Sequence, residues 1–186
     1  NILHLHLTDD EGFRIESKKY PKLHELGSDG QYFTQAQMKD LVSYCTDRGI
    51  DVYPEFDLPG HSQSFFAGYP ELASEKREYK PGPRFKIEAG AKPMNMMSIM
   101  QMMNTAPTPT IDPTKEATYA FLEGLLAEMK TIFPFGYFHL GLDESNGVAW
   151  KNNPEIVAFM AEKKIANVHE LQDYFLQRFD ALVKKQ

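Results

Sequence analysis

GIDVYPEFDLPGH, residues 49–61, holds the transition on which the fold turns. Gly49 suits the position just past a helix end, residues 50–56 read as a strand, and Asp57-Leu58-Pro59-Gly60-His61 follows without a break. The helix it ends is legible upstream. Thr34 can cap it, and Met38, Leu41, Val42 and Cys45 fall at i, i+3, i+4 and i+7 as one apolar stripe.

The same order recurs outward from this stretch. Ile2 to Leu7 reads as a strand that runs into Asp9-Asp10. Asp112-Pro113 reads as an N-cap followed by proline at the first helical position, and Phe121, Leu122, Leu125, Leu126 and Met129 form the apolar face of that helix. Pro134 and Gly136 break it, and YFHLGL (137–142) is the next strand, running into Asp143-Glu144. Further helices are expected near Pro154 and from Asn167, where Asn167 and Glu170 have capping-box spacing. Strand and helix in alternation imply βαβ units, a parallel sheet and right-handed crossovers. Each strand ends in polar residues, and in parallel α/β folds that C-terminal edge is where chemistry is done.

Composition bounds the rest. The 186 residues are 42% hydrophobic and 25% charged, as in an ordinary globular domain. A net charge of −6 without a dense Lys/Arg stripe argues against nucleic acid and anionic membranes as partners. Cys45 stands alone, so no intrachain disulfide forms. No apolar run approaches the ~20 residues of a membrane span. NILHLHLTDD opens inside a strand and DALVKKQ closes inside a helix, so both ends are expected to be truncated and residues 1–186 to be one piece of a longer protein. Residues 80–111 hold five prolines and six of the nine methionines, and read as a surface insert or loop whose methionines are adaptable filler.

Asp143-Glu144 is the leading candidate site. Adjacent strand residues point to opposite faces, so the two share a pocket only where the strand ends and the chain turns. His4 and His6 share one face of the first strand. They read as buried histidines hydrogen-bonded within the fold, or else as ligands of a metal site completed by His61, His139 and the carboxylates. Trp150, just beyond the pair, is either packing or a platform for a sugar ring.

Four stretches carry a family resemblance. HLHLTDDEGFRIESKKYPKL (4–23), YFTQAQMKDLVSYCTDRGIDVYPEFDLPGH (32–61), DPTKEATYAFLEGLLAEMKTIFPFGYFHLGLDE (112–144) and WKNNPEIVAFM (150–160) resemble, in order, the catalytic domain of the β-N-acetylhexosaminidases, the family 20 glycoside hydrolases. The resemblance implies a (β/α)8 TIM-type barrel, present here as a partial barrel, with 1–186 lying in that one domain. It implies release of terminal N-acetylglucosamine or N-acetylgalactosamine from glycans or chito-oligosaccharides, with retention and assistance from the substrate's own acetamido group; this family is a recognised exception to the two-carboxylate retaining scheme. By resemblance Glu144 is the general acid, Asp143 orients the acetamido group, and Asp9 and His61 support the acid. It implies no metal or organic cofactor, and an exported (periplasmic, extracellular) or lysosomal setting. Two positions depart from the family: Leu142 stands where glycine is usual, and Leu5 where tryptophan is usual between the two histidines. As an isolated partial barrel the chain is expected to be weakly active or inactive. The competing readings are a metal-dependent barrel hydrolase and a non-catalytic N-acetylhexosamine-binding relative.

Overall fold

The computed structural model describes residues 1–82, 95–105, 107–134, 136–142 and 145–185. A four-stranded sheet runs through it, built from β1 (Ile2–Asp9), β2 (Gly12–Phe13), β3 (Asp51–Leu58) and β4 (His139–Gly141) in the order β2-β1-β3-β4. β1, β3 and β4 are parallel neighbours, and β2 turns back antiparallel on the end of β1. Around them lie α1 (Lys22–Gly27), α2 (Gln35–Thr46), α3 (Gln63–Gly68), α4 (Met96–Thr105), α5 (Glu116–Met129), α6 (Val148–Asn152), α7 (Pro154–Lys163) and α8 (Val168–Val183). A parallel sheet with helices on one face is the architecture of an arc of a (β/α)8 barrel.

The two faces of the sheet differ because side chains alternate along each strand. Leu3, Leu5, Leu7, Val52, Phe56 and Leu58 belong to one apolar cluster with Met38, Val42, Leu122, Leu125, Met129 and Phe179 of α2, α5 and α8. Leu5, at the position where tryptophan was expected, is half-buried against that cluster. The alternate positions, His4, His6, Tyr53, Glu55, Asp57 and His139, face the other way, into what is the interior of a barrel. That face is polar.

Several local expectations are met. Thr34 closes a full capping box: its hydroxyl accepts from the Gln37 N–H, and the Gln37 side chain accepts from the Thr34 N–H. Asn153 caps α7, with Pro154 in the first turn, and Asn167 caps α8. The return bond of the α8 cap differs from the expected box, because Glu170 accepts from the Ala166 N–H. α5 starts later than expected, at Glu116. Asp112 does take up nearby donors, but they are the Thr114 N–H and hydroxyl, closing a tight turn ahead of the helix. Within 80–111, expected to be a surface insert or loop, α4 forms over Met96–Thr105, and Met96, Met97 and Met100 are exposed where packing as filler was expected. Residues 83–94 and 106 of that stretch lie outside the described residues.

Two contacts fix the rim loops. A Cβ on Gly27 would stand 2.3 Å from the Ser64 carbonyl oxygen, and one on Gly68 2.5 Å from that of Lys22. α1 and α3 therefore meet backbone to backbone, which only glycine permits, and α3 begins two residues after His61. Glu128 of α5 accepts from the Ser17 hydroxyl, the Lys18 and Lys19 N–H groups and the Gln35 amide, tying the β2–α1 loop to the start of α2.

β4 is shorter than the expected 137–142, and at its C-terminal end Gly141 (φ +66°) and Leu142 (φ +71°) turn into the left-handed region. The Leu142 N–H bonds back to the Leu140 carbonyl, closing a three-residue turn. Left-handed backbone costs a β-carbon-bearing residue roughly 1–2 kcal/mol, less the entropy that glycine loses on folding. Leu142→Gly should therefore exceed Leu142→Ala in unfolding free energy by about 1 kcal/mol, read by denaturant titration of the full-length protein. Equal stability of the two variants would show that the turn carries no such strain.

Candidate active site

The polar face of the sheet carries one connected column of carboxylates and imidazoles. Glu55 is its hub, buried in the middle of β3. Its carboxylate lies 2.5 Å from His4 Nε2, 3.2 Å from His6 Nδ1 and 3.5 Å from His139 Nδ1. Strand register places these partners, since Glu55 sits opposite His6 on β1 and opposite His139 on β4. From His6 the column climbs toward the C-terminal rim. His6 Nε2 is 3.1 Å from Asp9 Oδ2, and Asp9 Oδ1 is 2.9 Å from His61 Nδ1. His61 itself has φ +47°, an unusual backbone state for a histidine, held directly at the rim.

The charges follow from these contacts. Burial works against ionising Asp9, but hydrogen bonds from His61 and from the Asp10 backbone N–H outweigh it and hold the carboxyl down at about 2. The same hydrogen bond to Asp9, opposed by burial, lifts His61 to about 9. Asp9 and His61 are thus an ion pair at neutral pH. For His6, burial lowers the proton affinity, yet its hydrogen bonds to Asp9 and Glu55 together raise it above the ordinary imidazole value. Burial pushes the neighbouring Asp10 up to about 6. Its Oδ1 accepts from the Gln63 N–H at the start of α3, and its Oδ2 has no partner among the described residues.

Asp9 and His61, nominated by sequence, are brought into direct contact. Asp143 and Glu144 lie outside the described residues. Leu142, immediately before them, has already left the strand in a left-handed turn, which is the condition under which adjacent carboxylates can share a pocket. His4 and His6 are hydrogen-bonded as expected but not buried: their side chains are 48% and 47% exposed on the open face. Trp150 is fully enclosed, packed with Ile156 and Leu171, and its indole N–H donates to the Ile111 carbonyl. A ring closed on all sides gives a sugar nothing to stack on, so in this structure Trp150 acts through packing. Glu55 was not singled out by sequence. Its signal was a carboxylate inside the β-compatible run 50–56, in phase with Tyr53 and Asp57.

Among the described residues, three groups have the donor types for a cation: His4, Glu55 and His139; His6, Glu55 and Asp57; and Asp9, Asp57 and His61. Ligands at about 2.1 Å around a tetrahedral zinc stand roughly 3.4 Å apart. The 2.5 Å and 2.9 Å separations of His4–Glu55 and Asp9–His61 are instead those of direct hydrogen bonds. These two contacts are therefore proton-sharing pairs as they stand.

Comparison with known proteins agrees with this geometry. The family model described as glycosyl hydrolase family 20, catalytic domain, matches residues 1–186. A beta-hexosaminidase of Porphyromonas gingivalis is 34% identical over 100% of this chain and 22% of its own length. The beta-hexosaminidase subunit alpha of Rattus norvegicus is 33% identical over 95% of this chain and 30% of its own. Among solved structures, a Flavobacterium johnsoniae chitobiase superposes with a TM-score of 0.83 at 38% identity, covering 100% of this chain and 25% of that one. A beta-N-acetylhexosaminidase from Bacteroides fragilis gives 0.79 at 29% identity, covering 100% and 34%. This chain spans less than a third of the length of these curated relatives. With the family model matched over residues 1–186 and relatives more than 30% identical along nearly the whole chain, the chain belongs to glycosyl hydrolase family 20, within its catalytic domain.

Proposed function

We propose that the full-length protein is an exo-acting β-N-acetylhexosaminidase. It releases terminal N-acetylglucosamine or N-acetylgalactosamine from glycans or chito-oligosaccharides with retention of configuration. The observation that carries this reading is the Asp9–His61 ion pair, set at the C-terminal ends of β1 and β3 beside the strand that leads into Asp143-Glu144. Membership of the family and relatives named beta-hexosaminidase support it.

In this scheme Glu144 donates its proton to the glycosidic oxygen as the bond to the anomeric carbon breaks. The substrate's acetamido oxygen forms the new bond to that carbon, giving an oxazolinium ion. Asp143 accepts a hydrogen bond from the acetamido N–H and offsets the positive charge that spreads over the ring. Glu144, now a carboxylate, takes a proton from the water that opens the ion. Two adjacent carboxyls do not ionise alike, so Asp143 is the charged member and Glu144 the protonated one at rest. His61, kept cationic by Asp9, supplies a positive group at the rim that stabilises Glu144 once it has given up its proton.

Turnover of a chromogenic N-acetylglucosaminide by the full-length protein tests this. Glu144→Gln should lower kcat by at least ~100-fold, since general acid catalysis contributes about 10²–10⁴, and Asp143→Asn should also lower kcat, because it removes the charge that offsets the oxazolinium ion. Wild-type-like rates in both variants would remove the assignment.

The ion pair also sets a pH signature. His61 is raised from 6.5 to about 9, so its contribution to stability is complete below pH 6.5 and is lost as pH rises through 9. Asp9 is lowered from 3.8 to about 2, so its share is complete above pH 3.8 and is lost as pH falls through 2. The difference in thermal midpoint between wild type and His61→Gln should therefore shrink between pH 6.5 and 9. A difference that stays constant over that range would contradict the pairing.

A further inference from the structure

His6 has a carboxylate on each side. Its Nδ1 is 3.2 Å from Glu55 Oε1 and its Nε2 is 3.1 Å from Asp9 Oδ2. A neutral imidazole has one N–H and one lone pair, so it would aim that lone pair at a carboxylate oxygen. Only the doubly protonated ring satisfies both neighbours. Asp9 in turn is held at both oxygens, Oδ2 by His6 and Oδ1 by His61 and the Asp10 N–H.

We infer that His6, kept as an imidazolium by Glu55, is a positioning residue that fixes the Asp9 carboxylate and shares its charge with His61. The inference deepens the hexosaminidase reading and rests on the supporting role given there to Asp9 and His61. Without His6, Asp9 would be held at Oδ1 alone, by His61 and the Asp10 N–H, leaving Oδ2 unanchored and His61 as its one cationic partner among these groups. With a cation on each oxygen it is locked in one rotamer, and the proton on His61 is less tightly held. Such a balance suits a group that must support Glu144 in both its protonated and ionised states.

The groups that face this arrangement come from every neighbouring element. β1 contributes His4 and Asp9, with Asp10 just beyond; β3 contributes Glu55 and Asp57; β4 contributes His139; and the loop after β3 contributes His61. Asp10 and Asp57 both favour the charged form of His61. Against this acidic background, His6 is the second imidazole on the shared carboxylate, 3.1 Å from Asp9 Oδ2 where His61 is 2.9 Å from Oδ1.

The test follows the imidazole of His61 in the full-length protein by heteronuclear NMR with labelled histidine, its signal assigned by loss in His61→Gln. Removing the neighbouring cation should raise the proton affinity of His61. His6→Gln should move its titration midpoint up by about half a pH unit or more. Glu55→Gln should move it in the same direction by less, because it removes an anion along with the cation. In both variants kcat should fall several-fold while KM changes less than twofold. A midpoint that stays put or falls in both variants overturns the inference, whatever happens to thermal stability, since a purely structural role lowers stability without this upward shift. If Glu55→Gln does not fold, His6→Gln decides alone, because its ring is half exposed. The titration is read without substrate, so it stands apart from the turnover of Glu144→Gln that tests the hexosaminidase reading.

Discussion

A carboxylate buried in the middle of a strand has to be paired, because removing a lone charge from water costs several kcal/mol. Glu55 is that group, and the way it is paired organises the polar face of the sheet. Parallel register gives it His6 on one side and His139 on the other, with His4 closing on the same oxygen as His139. From this anchor the alternation of imidazole and carboxylate continues to the rim through Asp9 to His61. The period-two alternation that sends Leu3, Leu5, Val52 and Phe56 into the helix-covered core sends these groups to the opposite side. One geometric rule therefore builds both the stabilising layer and the reactive one.

Two of the left-handed non-glycine residues stand where strands stop. His61 and Leu142, both with positive φ, lie just beyond β3 and β4. Each is held by packing nearby. The glycine-mediated contact of α1 and α3 seats the loop that carries His61, and the Gln172 side chain of α8 donates to the Leu142 carbonyl. At Leu142 the strained position is also the one where the family resemblance calls for glycine. The departure thus falls on the residue whose backbone conformation makes glycine the natural choice.

Much of this was legible in the sequence, for identifiable reasons. The α2 stripe, the Thr34 and Asn153 caps and the three parallel strands rest on local periodicity and capping chemistry, which tertiary context did not override. Asp9 and His61 were found because both follow strands that converge on one edge. Glu55 was hidden because its importance comes from register across two strands, which no local pattern encodes. Trp150 was open to two readings for the same reason: whether an aromatic is a platform or a plug depends on what closes over it, here Ile156 and Leu171. Asp112 misled by one turn because its side chain satisfies Thr114 in place of a helix terminus.

The central claim is that the polar column serves an acid working with the substrate's own acetamido group, with no protein nucleophile. A thiazoline analogue of the oxazolinium ion distinguishes the two directly, because only substrate assistance builds a site complementary to that ring. The account predicts competitive inhibition of the full-length protein, with an inhibition constant at least ~100-fold below the KM for the matching N-acetylglucosaminide. Inhibition no tighter than that by N-acetylglucosamine itself would contradict it.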